Sequence, residues 1–285
     1  IGGVLKYGIP EFRLPNAIVD VEIENLSKMG VHFQTDVIVG KSISVDELEK
    51  QGFKGIFVAS GAGLPNFMNI PGENFINIMS SNEYLTRVNL MDAANPQTDT
   101  PINLGKNVLV VGGGNTAMDS CRTAKRLGAN VTLAYRRSDA ELPARAEEVK
   151  HATEEGIIFM TLHNPVEYLA DEKGAVKQAI LAVMKLGEPD ESGRRSPIDT
   201  GERVTIDCDQ VVVAVGVSPN PLVPKSIAGL ELGRKNTIAV GDDMQSSRKL
   251  LYAGGDIVRG GATVILAMGD GRRAAANMHA QLSAK

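Results

Sequence analysis

The chain has little of what marks most other classes of protein. Its 285 residues include two cysteines, Cys121 and Cys208. That number excludes a disulfide framework, and their separation gives no metal or cluster spacing. They read as reduced core residues and point to a cytoplasmic setting. No apolar run approaches the roughly 20 residues of a membrane helix, and nothing resembles a signal peptide. There is no basic tail or stripe: 30 Lys and Arg against 34 Asp and Glu leave a net charge of −4. That balance argues against nucleic acid as a partner. The four histidines, His32, His151, His163 and His279, are scattered and read as structural or exposed. No Ser-His-Asp set or carboxylate pair is called for, so no catalytic side chain and no metal ligand is assigned. An opening strand is missing too, and Ile1-Gly2-Gly3 reads as the middle of a larger protein.

What is present is glycine, 30 residues of it, in a chain that is 43% apolar. These proportions suit an α/β protein rich in tight turns. The most informative stretch runs Val108-Leu-Val-Val-Gly112-Gly113-Gly114-Asn115-Thr116-Ala117-Met118-Asp119. It reads as a buried strand over 107–111, a glycine turn, and a helix over 116–127 with Ala117, Cys121, Ala124 and Leu127 on one face. Gly128 stops that helix, and 131–135 reads as the next strand. In this context the G-x-G-x-x-A spacing of Gly112, Gly114 and Ala117 is a dinucleotide fingerprint. Gly112 permits the turn, Gly114 lets a pyrophosphate approach the backbone, and the helix start supplies N–H donors and positive dipole. At the end of the second strand, where NAD binders place an acid, stand Arg136 and Arg137. A cationic pair attracts the 2′-phosphate of NADP. Arg145 is placed to fold back to the same phosphate. The alternative is that all three are ordinary surface charges.

Elsewhere the pattern predicts a Gly- and Pro-rich loop over 4–15 and an amphipathic helix over 18–29 with Val21, Ile23, Leu26 and Met29 inward. A strand over 31–39 and a helix over 45–51 with a Ser44-x-x-Glu47 capping box follow, then a buried strand over 55–59. A helix over 80–91 precedes the fingerprint. Beyond it come a helix over 144–155 and strands over 157–162, 165–170, 176–186, 203–207 and 210–215. A hairpin tip at 187–197 carries Arg194-Arg195, read as a solvated turn or an acidic partner's contact. A crossing loop at 220–224, short strands over 237–240 and 250–253, and a last helix over 264–282 complete the chain.

A second constellation follows the strand Leu251-Tyr-Ala. Gly254-Gly255-Asp256 ends it, and Gly260-Gly261-Ala262-Thr263-Val264 opens the last helix. A carboxylate at a strand end can accept from a ribityl or sugar hydroxyl, and a helix start can face an electron-rich flavin edge. The alternative is an Asp that caps the last helix. Strands ending in small residues beside Gly61 and Gly216 form a matched pair, expected where a chain crosses between two nucleotide-binding domains.

Together with Tyr7-Gly-Ile-Pro-Glu-Phe-Arg-Leu-Pro15, Ser60-Gly-Ala-Gly-Leu-Pro65, Ile70-Pro-Gly-Glu73, Asn82-Glu-Tyr-Leu85, Tyr135-Arg-Arg137 and the segment 143–148, these motifs resemble the NADPH-dependent glutamate synthase small (beta) subunit family. That family also takes in the ferredoxin:NADP transhydrogenase large subunit, sulfide dehydrogenase and the flavin/NADPH part of dihydropyrimidine dehydrogenase. The resemblance covers nearly the whole chain. It implies an α/β fold of two interleaved Rossmann-like dinucleotide-binding domains, disulfide-reductase-like. Residues 1–70 and 217–285 would form a partial FAD domain and 71–216 the NADPH domain.

By that resemblance Gly113, Asn115, Thr116, Arg136, Arg137, Arg145 and the Ala214-Val215-Gly216 turn join Gly112 and Gly114 at NADPH. Gly3, Arg13, Val39, Gly255, Asp256, Ala262, Thr263 and Val264 would lie at FAD. Family members carry iron–sulfur clusters and a first FAD fingerprint in an N-terminal region that would precede Ile1. The implied activity is hydride transfer from NADPH to FAD, with electrons passed to a glutamate synthase large subunit or another electron-accepting subunit. Service in ferredoxin:NADP transhydrogenase or sulfide oxidation is the neighbouring alternative. An NADPH-binding module without activity of its own is the alternative of another class.

Overall fold

A computed structural model of the chain describes residues 1–191 and 193–284. In chain order the first elements are α1 (Val4–Tyr7), α2 (Asn16–Lys28), α3 (Val45–Lys50), β1 (Ile56–Val58), β2 (Leu64–Pro65), β3 (Ile78–Ser80) and α4 (Ser81–Asn89). Then come β4 (Asn107–Val111), α5 (Asn115–Arg126), β5 (Asn130–Tyr135), α6 (Ala146–Glu154), β6 (Ile158–Thr161), β7 (His163–Ala170), β8 (Val176–Pro189) and β9 (Arg195–Asp207). The rest are β10 (Gln210–Val213), β11 (Val217–Ser218), α7 (Leu222–Ser226), β12 (Leu251–Ala253), α8 (Asp256–Arg259) and α9 (Val264–Ser283). Contacts divide them into two units. One joins Ile1–His32 to Pro65–Gly216, and the other joins Phe33–Leu64 to the chain from Val217 onward.

The first unit is built on a five-stranded parallel sheet of order β3-β10-β4-β5-β6. Both faces of this sheet are covered, which is why β4 and β10 are continuous apolar runs rather than alternating ones. Side chains alternate along β4. Val108 and Val110 pack with Ala117, Met118, Cys121 and Ala124 of α5. Leu109 and Val111 pack on the other face with Tyr168, Ala179 and Leu181, which belong to an antiparallel sheet of order β7-β8-β9. The helical face predicted for α5 is therefore its buried one, with Leu127 partly buried beside it. Both cysteines are buried and free. Burial pushes the Cys208 thiol up to about 12 and the Cys121 thiol further, so neither is reactive.

By contacts, residues 1–32 group with this unit, whereas the sequence suggested a join to the segment from 217 onward. Ion pairs account for it. The Arg13 guanidinium donates to both Asp119 carboxylate oxygens, at 2.7 and 2.8 Å, and lies 3.2 Å from Glu148. The Phe12 ring lies under Arg122 and Arg126, whose guanidinium carbons are 4.6 and 4.2 Å from its centroid. Helix α2 forms as expected but buries a narrower stripe. Val19 is buried and Ile23 half-buried, while Val21, Leu26 and Met29 are 54%, 42% and 81% exposed. The loop expected at 4–15 contains the short helix α1.

The second unit holds the parallel pair β1–β12, with Ile56 opposite Leu251 and Val58 opposite Ala253. Its core gathers Val45, Val58, Ile227, Ile238, Leu251, Ala253 and Ile257. The capping box of α3 is present: Glu47 N–H donates to Ser44 Oγ (3.1 Å) and Ser44 N–H to Glu47 Oε2 (2.8 Å). Three expectations fail here. No strand forms over 31–39, where Val39 makes only a bridge to Ile43. The stretch 237–240 has bridges to Leu232 and Ser246 in place of a strand. The proline-rich stretch at 220–224 runs into helix α7. At 31–39 and 237–240 the bridges that do form join near neighbours in sequence and do not extend into ladders, and at 220–224 the turn after Pro221 continues into α7.

Candidate functional site

Three strand ends lie side by side in the first unit. Gly112 N–H donates to the Ala134 carbonyl at the end of β5 (3.0 Å), and Ala214 N–H, just past β10, donates to the Val111 carbonyl (2.8 Å). Chain order reverses between β4 and β10, since β5 and β6 lie to one side of β4 and β10 and β3 to the other. Open parallel sheets bind ligands at such reversals, outside the carboxyl ends of the strands.

The glycines differ in what they permit there. Gly112 takes φ +135°, and a Cβ on it would run into the Ala214 carbonyl. Only glycine lets the turn close against residue 214. A Cβ on Gly113 would meet the Tyr135 ring at 2.7 Å and Leu142 at 2.9 Å. Gly114 faces open space, with nothing within 4 Å of such a Cβ. As N-cap of α5 it also has no side chain to engage the first-turn amides, which leaves them for an anion. Asn115 accepts from Arg145 N–H through Oδ1 (3.0 Å), and Ala144 N–H donates to the Gly113 carbonyl (3.1 Å). The start of α6 is thereby tied to the glycine turn, with Arg145 beside it and Thr116 exposed on α5. On the other flank, the Gly216 carbonyl accepts from Asn66 N–H (3.0 Å), and Val215 is 38% exposed. The fold thus brings the glycine turn, the start of α6 at Arg145 and the Ala214 turn beside the ends of β4 and β5.

The arginine pair splits in character. Arg136 is exposed, while Arg137 is 8% exposed and its Nε has no hydrogen-bond partner. Arg137 lines a groove of about 490 Å³ together with Tyr135, Glu141, Pro143, Gly193 and Arg194. Glu141 is held firmly. Its Oε2 accepts from Ser138 N–H and Oγ (3.3 and 3.0 Å) and its Oε1 from Arg195 Nε (3.0 Å). Burial alone would raise its carboxyl, but the bonds from Ser138 and Arg195 outweigh that and hold it below the usual carboxylate range.

The residues predicted for FAD are divided between the units. In the second, Gly255 takes φ +74° at the start of α8, and its N–H donates to Asp270 Oδ2 (3.1 Å). Arg259 forks the same carboxylate at 2.7 and 2.6 Å. This holds the buried Asp270 below its ordinary pKa despite desolvation, with help from the Gly255 N–H. Asp256 Oδ1 accepts from Ala262 N–H (3.0 Å). Burial raises its carboxyl and that bond opposes the rise. The cap of α9 is Thr263, not Asp256: Thr263 Oγ1 accepts from Leu266 N–H (3.4 Å). Beyond it Val264, Ile265, Leu266 and Met268 are 39%, 72%, 44% and 62% exposed, an apolar face at a helix start. Val39 lies at the edge of the second unit's core. Gly3 precedes α1 in the first unit, and Arg13 is engaged there by Asp119 and Glu148.

Sequence reasoning missed the ionic network behind the glycine turn. From Arg13 it runs through Asp119 and Glu148 to Arg122, Glu155 and Arg126. Burial pushes the Asp119 carboxyl up to about 6 against the pull of Arg13. It also missed the tie from Glu141 to Arg195, although the Ser138-x-x-Glu141 spacing was there to be read as a capping box. No group of His, Cys, Asp and Glu among the described residues is arranged to hold a metal ion, and no described helix is long and apolar enough to cross a membrane.

A glycine turn between a parallel strand and a helix, at the reversal of a doubly covered sheet, defines a dinucleotide-binding α/β protein. The chain belongs to the pyridine nucleotide-disulphide oxidoreductase family, whose pattern matches residues 10–271. It is 39% identical over 282 residues to the NADP(+)-dependent formate dehydrogenase subunit beta of Moorella thermoacetica, covering 97% of this chain and 38% of that one. It is 34% identical over 285 residues to the glutamate synthase [NADPH] small chain of Halomonas elongata, covering 96% and 59%. The resemblance to the glutamate synthase small subunit family therefore holds, and the chain spans between about two fifths and three fifths of these relatives. Among solved structures, FprA from Mycobacterium tuberculosis matches with a TM-score of 0.79 at 19% identity, covering 99% of this chain and 75% of that one. This shows the disulfide-reductase-like fold of interleaved Rossmann-type domains.

Proposed function

We propose that this chain is the NADPH- and flavin-binding part of an oxidoreductase that passes electrons to a partner subunit, of the glutamate synthase small-chain type. The observation that carries the reading is the crevice at the ends of β4, β5 and β10. Gly112 lets the backbone close on residue 214, Gly114 leaves room for a pyrophosphate, and uncapped amides of α5 face it. Arg136 and Arg137 stand where the ribose 2′ position falls, and the buried, unpartnered Arg137 Nε fits a phosphate far better than a neutral hydroxyl. Arg145, fixed through Asn115, adds a third cation.

In the second unit, Asp256 is placed to accept from a ribityl hydroxyl. Val264 and Ile265, exposed beside the start of α9, suit the plane of a flavin ring. Bound in these places, NADPH supplies a hydride and FAD accepts it. The chain's own groups bind, orient and shield, and none is required to move a proton. Arg13 enters the FAD set only if it can leave Asp119.

The final acceptor is a second matter. The two relatives named above both have NADP(H) and a subunit or small chain in their names, but differ in the other half of the reaction. The shared region is thus the nucleotide part, and an acceptor other than a glutamate synthase large subunit is the second reading. An NADPH-driven dye-reduction assay on the chain with FAD added tests the proposal. Flavin-dependent dye reduction is expected. NADPH binding with no reduction at saturating FAD would leave only a binding module.

A further inference from the structure

The long β8–β9 hairpin returns to the nucleotide unit at its tip. The turn closes on Asp190, whose N–H donates to the Arg194 carbonyl (2.9 Å) and whose Oδ1 accepts from Arg194 N–H (3.0 Å). At the base of the turn, Arg195 is anchored by Glu141, which is itself locked to Ser138. That tie fastens a segment far along the chain to the turn directly after Arg136 and Arg137. Its consequence is geometric: exposed Arg194 lines the same groove as buried Arg137. The one carboxylate in that lining, Glu141, is engaged at both oxygens, and the two cationic residues of the lining are Arg137 and Arg194. A guanidinium with a buried, unpartnered Nε is costly unless an anion reaches it.

We infer that Arg194 is a further specificity-determining residue. It closes the 2′-phosphate pocket from the hairpin side, across the groove from Arg137, with the Glu141–Arg195 pair as the strap that positions it. The inference rests on the NADPH reading above and adds to it a residue from outside the βαβ unit. It also gives Arg194-Arg195 a role within the chain, where the sequence alone suggested a solvated turn or an acidic partner.

The test uses the chain itself with two probes, 2′,5′-ADP and 5′-ADP, titrated by calorimetry. Wild type is expected to prefer 2′,5′-ADP. R194A should weaken 2′,5′-ADP by roughly tenfold, the scale of one charge-assisted bond, and leave 5′-ADP unchanged. E141A, which removes the acceptor that holds Arg195, should lose part of the same preference, although removing a negative charge beside a phosphate would by itself strengthen binding. If wild type prefers 2′,5′-ADP and R194A retains that preference in full, or loses both probes equally, the inference is overturned while the NADPH reading stands. A full preference in E141A overturns the strap. Equal binding of the two probes by wild type overturns the reading on which all of this rests.

Discussion

Two stretches of this chain share one plan and differ in one detail. Each is a strand that ends in glycines and gives way to a helix: β4 into α5 in the first unit, β12 into α8 and α9 in the second. At the first, the helix start is bare. Gly114 is the N-cap, no side chain caps the first-turn amides, and no acidic residue stands in the first turn. At the second, the glycine N–H is already taken by Asp270, Asp256 holds the loop through Ala262, and Thr263 caps α9. A helix start left bare attracts phosphate. One guarded by a carboxylate repels it and accepts hydroxyl donors instead. On the proposed function, the same strand–glycine–helix device serves a phosphate at α5 and a hydroxyl donor at Asp256, where carboxylates stand beside the glycines.

The comparison breaks most readily at the glycines. G112A places a methyl against the Ala214 carbonyl at a positive φ, so it should lose NADPH binding and also stability, by about 1–3 kcal/mol from backbone strain alone. G114A adds its methyl in open space at φ −88°. It should melt like wild type and yet bind NADPH at least tenfold more weakly. Calorimetric titration beside a thermal melt separates the two, and a G114A chain with wild-type affinity would show that no phosphate sits there.

In the second stretch, D256A should weaken FAD by about ten- to a hundredfold, the scale of a hydrogen bond to a charged group, with NADPH affinity unchanged. The visible flavin band after desalting reads this out. Retention equal to wild type would return Asp256 to a purely structural role.

The smallest effect concerns Asp119, behind the bare helix start. Its carboxyl lies above the ordinary value, at about 6. A carboxylate raised on folding holds its proton more tightly in the native state. Its ionisation therefore costs stability as pH rises from the ordinary Asp value near 4 through about 6, and acidification across that window returns it. Wild type should gain on D119N as pH falls from about 7 to 4 in chemical denaturation. A gap between the two that does not change with pH would mean Arg13 dominates.

The fingerprint was legible because it is local. Strand, glycine turn, helix and second strand lie within one short stretch, and the arginine pair follows at once. The buried face of α5 could be counted from periodicity, and the α3 capping box from Ser44 and Glu47. What depended on remote partners was not legible. A strand over 31–39 needs a neighbour that the fold does not supply, and the amphipathic pattern of α2 does not say which of its apolar residues meet a core. Arg13 gave no hint of Asp119, more than a hundred residues away in sequence, and so the contacts of residues 1–32 with the fingerprint helix were hidden. The strap from Glu141 to Arg195 crosses 54 positions and was equally hidden.

On the proposed function, the crevice at β4, β5 and β10 takes a dinucleotide bearing a 2′-phosphate. Parallel titrations of wild type and the R136A/R137A variant with NADPH and NADH test it most directly. Wild type should bind NADPH at least about tenfold tighter than NADH, and the variant should lose NADPH affinity while its NADH affinity barely moves. Equal affinity in wild type, or equal loss of both cofactors in the variant, would contradict it.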